Sequence, residues 1–112
     1  MPPTAPFPAF PAGRGRREPH LTPDEERELA RRAAAGDGAA AERLIVSHLA
    51  VVATVARRYG RLGLPINDLI QEGTVGLIHA VRKFDPDHNA RLATYAMWWI
   101  RAAIQDLSLI HI

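Results

Sequence analysis

Three of the chain's seven aromatic residues, Tyr95, Trp98 and Trp99, fall within the stretch Arg-Leu-Ala-Thr-Tyr-Ala-Met-Trp-Trp-Ile-Arg-Ala-Ala-Ile-Gln, from Arg91 to Gln105. Their i, i+3, i+4 spacing places the rings on one face of a helix, bracketed by the cations Arg91 and Arg101. Such a face can hold unstacked bases, each contributing about 1–3 kcal/mol by stacking. The competing reading is a packed core face. Met97, Ile100 and Ile104 form a separate apolar stripe on the same helix, so a core-facing surface exists without the rings. A short chain cannot easily bury both faces, and exposed aromatics of this kind mark binding surfaces.

A second constellation lies upstream. Asp68, Gln71 and Glu72 share a helix face by the same spacing, away from the apolar residues of their own segment. The plain reading is a solvated polar face with an acid favouring the helix N-terminus. Gly73 and Gly76 weigh against that reading alone, because each costs a helix about 1 kcal/mol relative to alanine and suggests the close approach of another backbone.

No catalytic constellation is found. The loop Asp85-Pro86-Asp87-His88-Asn89 superficially suggests a calcium loop, but Ala90 stands where glycine is needed and Ala96 where glutamate is needed. The five histidines lack zinc-ligand spacing, and Ser47 and Ser108 have no histidine and acid arranged around them. The expectation is a binding protein rather than an enzyme, without metal, cofactor or small-molecule substrate.

The elements that must position these residues are helical. Thr22-Pro23-Asp24-Glu25 has the pattern of an N-cap, proline at the first helical position and a capping box, and Gly36 is placed to stop that helix. A second helix is expected from Asp37 to about Tyr59, with Leu44, Ile45, Leu49, Val52, Ala56 and Tyr59 at spacings of three and four. Gly60 and Gly63 break the chain. A third helix follows from about Asn67 to Lys83, its core stripe being Ile70, Thr74, Leu77, Val81 and Phe84. The fourth carries the rings. No window alternates apolar and polar residues, so the class is all-α: a small bundle of about four helices.

Composition bounds the rest. A chain of 112 residues is one domain at most, and its net charge of +2 is too small to argue nucleic-acid binding by itself. Cysteine is absent, which excludes disulfides and thiolate metal sites and fits a reducing cytoplasm. No apolar run reaches membrane-spanning length, and the N-terminus does not have the pattern of a signal peptide. Seven of the nine prolines precede residue 24. Residues 1–20 therefore read as a disordered leader, in which Arg14, Arg16 and Arg17 are available to phosphates or simply solvated.

The stretch Leu-Ala-Thr-Tyr-Ala-Met-Trp-Trp-Ile-Arg-Ala, from Leu92 to Ala102, resembles region 2.3 of the bacterial sigma-70 family, and its heat-shock branch in particular. Asp-Leu-Ile-Gln-Glu-Gly-Thr-Val-Gly-Leu, from Asp68 to Leu77, followed by Lys83-Phe84-Asp85-Pro86, resembles region 2.2. The resemblance covers residues 21–105 as a region 1.2 and region 2 domain; the leader before it and the tail 106–112 lie outside. It implies a bacterial cytoplasmic protein that docks on the RNA polymerase core and opens promoter DNA at the minus-ten element.

By that resemblance, Asp68, Leu69, Ile70, Gln71, Glu72, Thr74 and Ile78 would contact the coiled-coil clamp helices of the polymerase β′ subunit. Thr74 stands where many members have asparagine. Tyr95 would stack on a flipped adenine of the non-template strand, Trp98 would sit at the junction of duplex and single strand, and Trp99 would brace it. Lys83, Arg91, Thr94 and Arg101 would lie along the strand, the cations binding phosphates. Gln105 and Ala102 would face the last paired base, where glutamine can make bidentate contacts and alanine only apolar ones. Ala90 occupies a position where a large residue is common, so one stacking platform is missing. Because regions 3 and 4 are absent, the chain is expected to be part of a longer factor. The rival readings are a helix-turn-helix regulator of closed duplex, which needs a polar recognition helix, and a non-productive interaction module that occupies the polymerase.

Overall fold

A capped helix opens the structure, a computed structural model that describes residues 20–61, 63–87 and 89–110, with side chains to Leu107. The leader expected over residues 1–20 lies outside the described residues up to position 19. Helix α1, Pro23–Ala34, starts on the expected box: Thr22 Oγ1 accepts from the Glu25 N–H at 3.1 Å, and Glu25 Oε1 accepts from the Thr22 N–H at 2.8 Å. A cap of this kind contributes about 1 kcal/mol. Gly36, at φ 103°, ends the helix. Its N–H bonds the Ala33 carbonyl and that of Asp37 the Arg32 carbonyl, which satisfies the last turn.

Asp37 then caps α2, Gly38–Ser47, through the N–H groups of Ala39 and Ala40. The Arg32 hydrogen bond, the Ala40 N–H and the nearby guanidinium charge hold the Asp37 carboxyl below its ordinary range. The single helix expected from Asp37 to Tyr59 is in fact two, because the chain leaves helical geometry at His48 and resumes as α3, Leu49–Gly60, at a bend of 44°. The cause is local competition for one carbonyl. Leu44 O accepts from Ser47 Oγ at 3.0 Å and from His48 Nδ1 at 2.7 Å, while the His48 N–H bonds Ile45 O instead. Among the described residues the all-α bundle therefore has five helices where about four were expected, and no strand.

Helix α4, Ile66–Lys83, begins one residue earlier than expected, and α5, Leu92–Ile110, packs along it. On α4 the buried face is Leu69, Gly73, Gly76, Leu77 and Ala80, flanked by Thr74 and Val81. Ile70, expected in the core, is 36% exposed. The glycines explain the rotation. A Cβ at Gly76 would lie 2.5 Å from the Trp99 carbonyl oxygen and 3.0 Å from Ile100 Cα, so this face alone lets the α5 backbone approach. On α5 the buried stripe is Leu92, Ala96, Ile100 and Ile104, with Met97 only half-buried. No single helix among the described residues is long and apolar enough to cross a membrane.

Candidate nucleic-acid and partner interfaces

With Ile100 and Ile104 turned inward, the opposite face of α5 carries Thr94, Trp98, Arg101 and Gln105 at steps of four, three and four, all exposed, with Ala102 beside them. Trp98 is 75% exposed. Leaving most of an indole in water forgoes on the order of 3 kcal/mol of burial.

Tyr95 and Trp99 occupy the adjacent stripe and are half-buried, so the face is not uniformly open. Their rings meet edge to face at 6.3 Å between centroids. Each is also braced from α4: Phe84 lies 5.7 Å from Tyr95, and the imidazole of His79 stacks on Trp99 at 5.8 Å with 28° between planes. The row Phe84, Tyr95, Trp99, His79 is thus a shelf of touching rings, beside which Trp98 makes no ring contact among the described residues. The Phe84 contact also brings the C-terminal end of α4, with exposed Arg82 and Lys83, up to Tyr95.

Two members of the expected strand-binding set are engaged within the chain. Gln105 Nε2 donates to the Tyr59 hydroxyl of α3 at 2.9 Å. Arg91, expected at phosphates, instead pairs with buried Glu26 at 3.2 Å and donates to the Leu21 carbonyl at 2.9 Å. The guanidinium is thus paired within the chain, while its side chain stays 47% exposed at the surface.

On α4 the polar face is present. Asp68 and Glu72 are half-exposed, Gln71 is exposed, and Ile78 is half-buried beside them. Val75, 46% exposed at the centre of this face, was not anticipated; its position one helical turn after Gln71 and Glu72 was the available signal. Two residues expected at the partner contact lie inside instead. Leu69 is 0% exposed, and Thr74 is buried with its hydroxyl bonded to the Ile70 carbonyl at 2.7 Å. The close helix approach signalled by Gly73 and Gly76 is also internal, made by α5 and the Val52 side chain rather than by a partner. His79 and Glu26 were missed as well. His79 follows Gly76 by three residues, so the glycine register places it beside Trp99, whereas Glu26 left no local sign. Among the described residues no group of three histidines or acids is placed to hold a metal.

Residues 44–108 match the family model for sigma-70 region 2, and residues 16–39 match that for sigma-70 factor region 1.2. The chain is 53% identical over 95 residues to the RNA polymerase sigma factor RpoH of Rhizobium radiobacter. It is 50% identical to that of Zymomonas mobilis and 52% identical to that of Caulobacter vibrioides, each over 95 residues. Each alignment covers 84% of this chain and 32% of the relative, so the chain spans about a third of their length.

Proposed function

The chain belongs to the sigma-70 family, and from that premise we propose that it is the core-docking and strand-capturing part of a heat-shock-type promoter-recognition factor. It works by binding alone, in the bacterial cytoplasm, with no bond made or broken. The observation that carries this reading is the exposed indole of Trp98 standing next to a braced shelf of rings.

Extruding a base costs a few kcal/mol, comparable to what one or two stacked rings return. An opening equilibrium of a weak, easily unpaired element is then tipped by binding without fuel. Tyr95 is the proposed platform for a flipped base, Trp98 the wedge at the duplex junction, and Trp99 its brace. Lys83 and Arg101, with Thr94 along the same strand, position the backbone. Gln105 and Ala102 face the last paired base. The clamp helices of the polymerase are the proposed partner of Asp68, Ile70, Gln71, Glu72 and Ile78, with Val75 between them. Leu69 and Thr74 are left out because they are buried, and Arg91 because its guanidinium is already paired with Glu26 and the Leu21 carbonyl. The proposed domain takes in residues 21–105; α5 continues to Ile110 and the region 2 match to residue 108, past the boundary expected at 105.

The test is opening of a minus-ten DNA probe carrying a fluorescent base, with the chain and core polymerase present. Trp98→Ala should lower the opened fraction at least about fivefold, the lower end of what one stacked base contributes. Unchanged opening, or equal binding to single-stranded and fully paired probes, would remove the strand-capture reading and favour a duplex-reading regulator.

A further inference from the structure

Glu26, on α1, is 4% exposed and is the one buried carboxylate among the described residues. Its Oε2 accepts the backbone N–H of Leu92, the first residue of α5, at 2.8 Å and across 66 positions of sequence. Its Oε1 accepts from Arg91 Nε at 3.3 Å, and the same guanidinium reaches back to the Leu21 carbonyl at 2.9 Å. Taking a carboxylate out of water is expensive unless its oxygens are satisfied, and here they are satisfied by a helix N-terminus and a guanidinium.

The consequence falls on the rings. The first N–H groups of any helix lack partners within it. For α5 the partner comes from α1, and the positive end of the helix dipole favours a negative charge there. The turn so capped is the one that carries Tyr95, whose own N–H bonds the Arg91 carbonyl at 3.2 Å. Leu92, fully buried next to the cap, begins the stripe Leu92, Ala96, Ile100 and Ile104 whose burial turns Trp98 outward.

We infer that Glu26 is a positioning residue for strand capture, and that Arg91 serves it as a strut and is not a phosphate contact. The inference rests on the strand-capture reading for its functional part and on the geometry of the cap for its structural part. A strut and a phosphate ligand differ in salt dependence. Each phosphate contact to a single strand contributes about 0.7 to the slope of log affinity against log salt, whereas an internal ion pair contributes nothing to it.

The experiment titrates the 112-residue chain against a fluorescent single-stranded oligonucleotide carrying a minus-ten element, over a series of salt concentrations. Amide hydrogen exchange is followed at Leu92 to Tyr95 in the same proteins. Glu26→Gln and Arg91→Met should each lose at least about fivefold in affinity, keep the wild-type salt slope and exchange faster in the first turn of α5. Arg101→Ala, the comparison, should lower the slope by about 0.7. A slope reduced in Arg91→Met as much as in Arg101→Ala overturns the assignment of Arg91. Unchanged exchange in Glu26→Gln overturns the cap. Failure of the wild-type chain to bind the oligonucleotide overturns strand capture and the positioning role with it, while the exchange measurement still decides whether Glu26 holds α5.

Discussion

A tryptophan becomes useful at a surface only when something holds its neighbours still. Trp98 stands out while Trp99, one residue on, is packed between Tyr95 and the imidazole of His79. The stacked His79 ring is therefore a footing for the shelf. Ring pairs of this kind contribute about 0.5–1.5 kcal/mol beyond their buried area. His79→Ala should lower stability by about 1 kcal/mol in urea denaturation and lower affinity for a single strand in proportion. His79→Phe, which keeps a flat ring on Trp99, should restore both. If the phenylalanine variant were as impaired as the alanine one, the ring would not be acting as a footing. Sequence spacing alone was sufficient to single out the three aromatic residues, because periodicity places side chains on a face. It could not tell which ring would be free, since that depends on what α4 sets against each one.

At the scale of the elements, what is written locally was legible and what is written across the fold was not. The capping box at Thr22 and the stop at Gly36 involve residues within a turn of one another, and both stand as expected. The break at His48 was missed because it arises from two side chains competing for the Leu44 carbonyl, which apolar periodicity does not register. Of the expected α4 stripe, Thr74, Leu77 and Val81 are buried, Phe84 is half-buried and Ile70 faces outward, while the rest of the buried face lies to one side at Leu69, Gly73, Gly76 and Ala80. Counting Ile70 as inward ignored that glycines, having no side chain, can form the most deeply packed face of all. This yields a prediction in which two effects have opposite signs. Gly76→Ala gains about 1 kcal/mol of helix propensity, but its methyl would meet the Trp99 backbone at 2.5 Å. Backbone cannot swing aside as a side chain can, so α5 must move, and overpacking of this kind costs about 1–3 kcal/mol or more. Gly76→Ala should therefore show a net loss in thermal denaturation, with Trp99 fluorescence altered in the native state. Gly73→Ala meets the Val52 side chain at 2.9 Å and should be milder. A stabilised Gly76→Ala protein would show that the helices are less closely apposed than described.

For the molecule as a whole, distant segments meet at one buried polar junction: α1 through Glu26, the α2–α3 bend through His48, and the start of α5 through Arg91 and Leu92. The histidine gives this junction a pH dependence with a definite sign. Burial pushes the His48 pKa below its ordinary value of 6.5; the Leu44 carbonyl and the Glu26 carboxylate, 4.0 Å from Nε2, pull it up, and the charges of Arg91 and His20 push it down, with burial the largest effect. A carbonyl can only accept, so Nδ1 carries the proton of the neutral ring in the hydrogen bond to Leu44. Above 6.5 both the folded and the unfolded chain hold His48 neutral, and its contribution to stability is fully present. As pH falls below 6.5 the unfolded chain takes up the proton first, so stability drops until the depressed folded value is reached and then levels off. Each unit of difference between the two states is worth about 1.4 kcal/mol. Urea midpoints measured from neutrality downward should therefore fall in the wild-type chain. In His48→Asn, whose amide keeps a donor for the Leu44 carbonyl but does not titrate, the fall should be shallower. Parallel curves for the two proteins would mean that His48 takes up its proton equally in both states, and that the junction joining α1 to the ring-bearing helix is open to water.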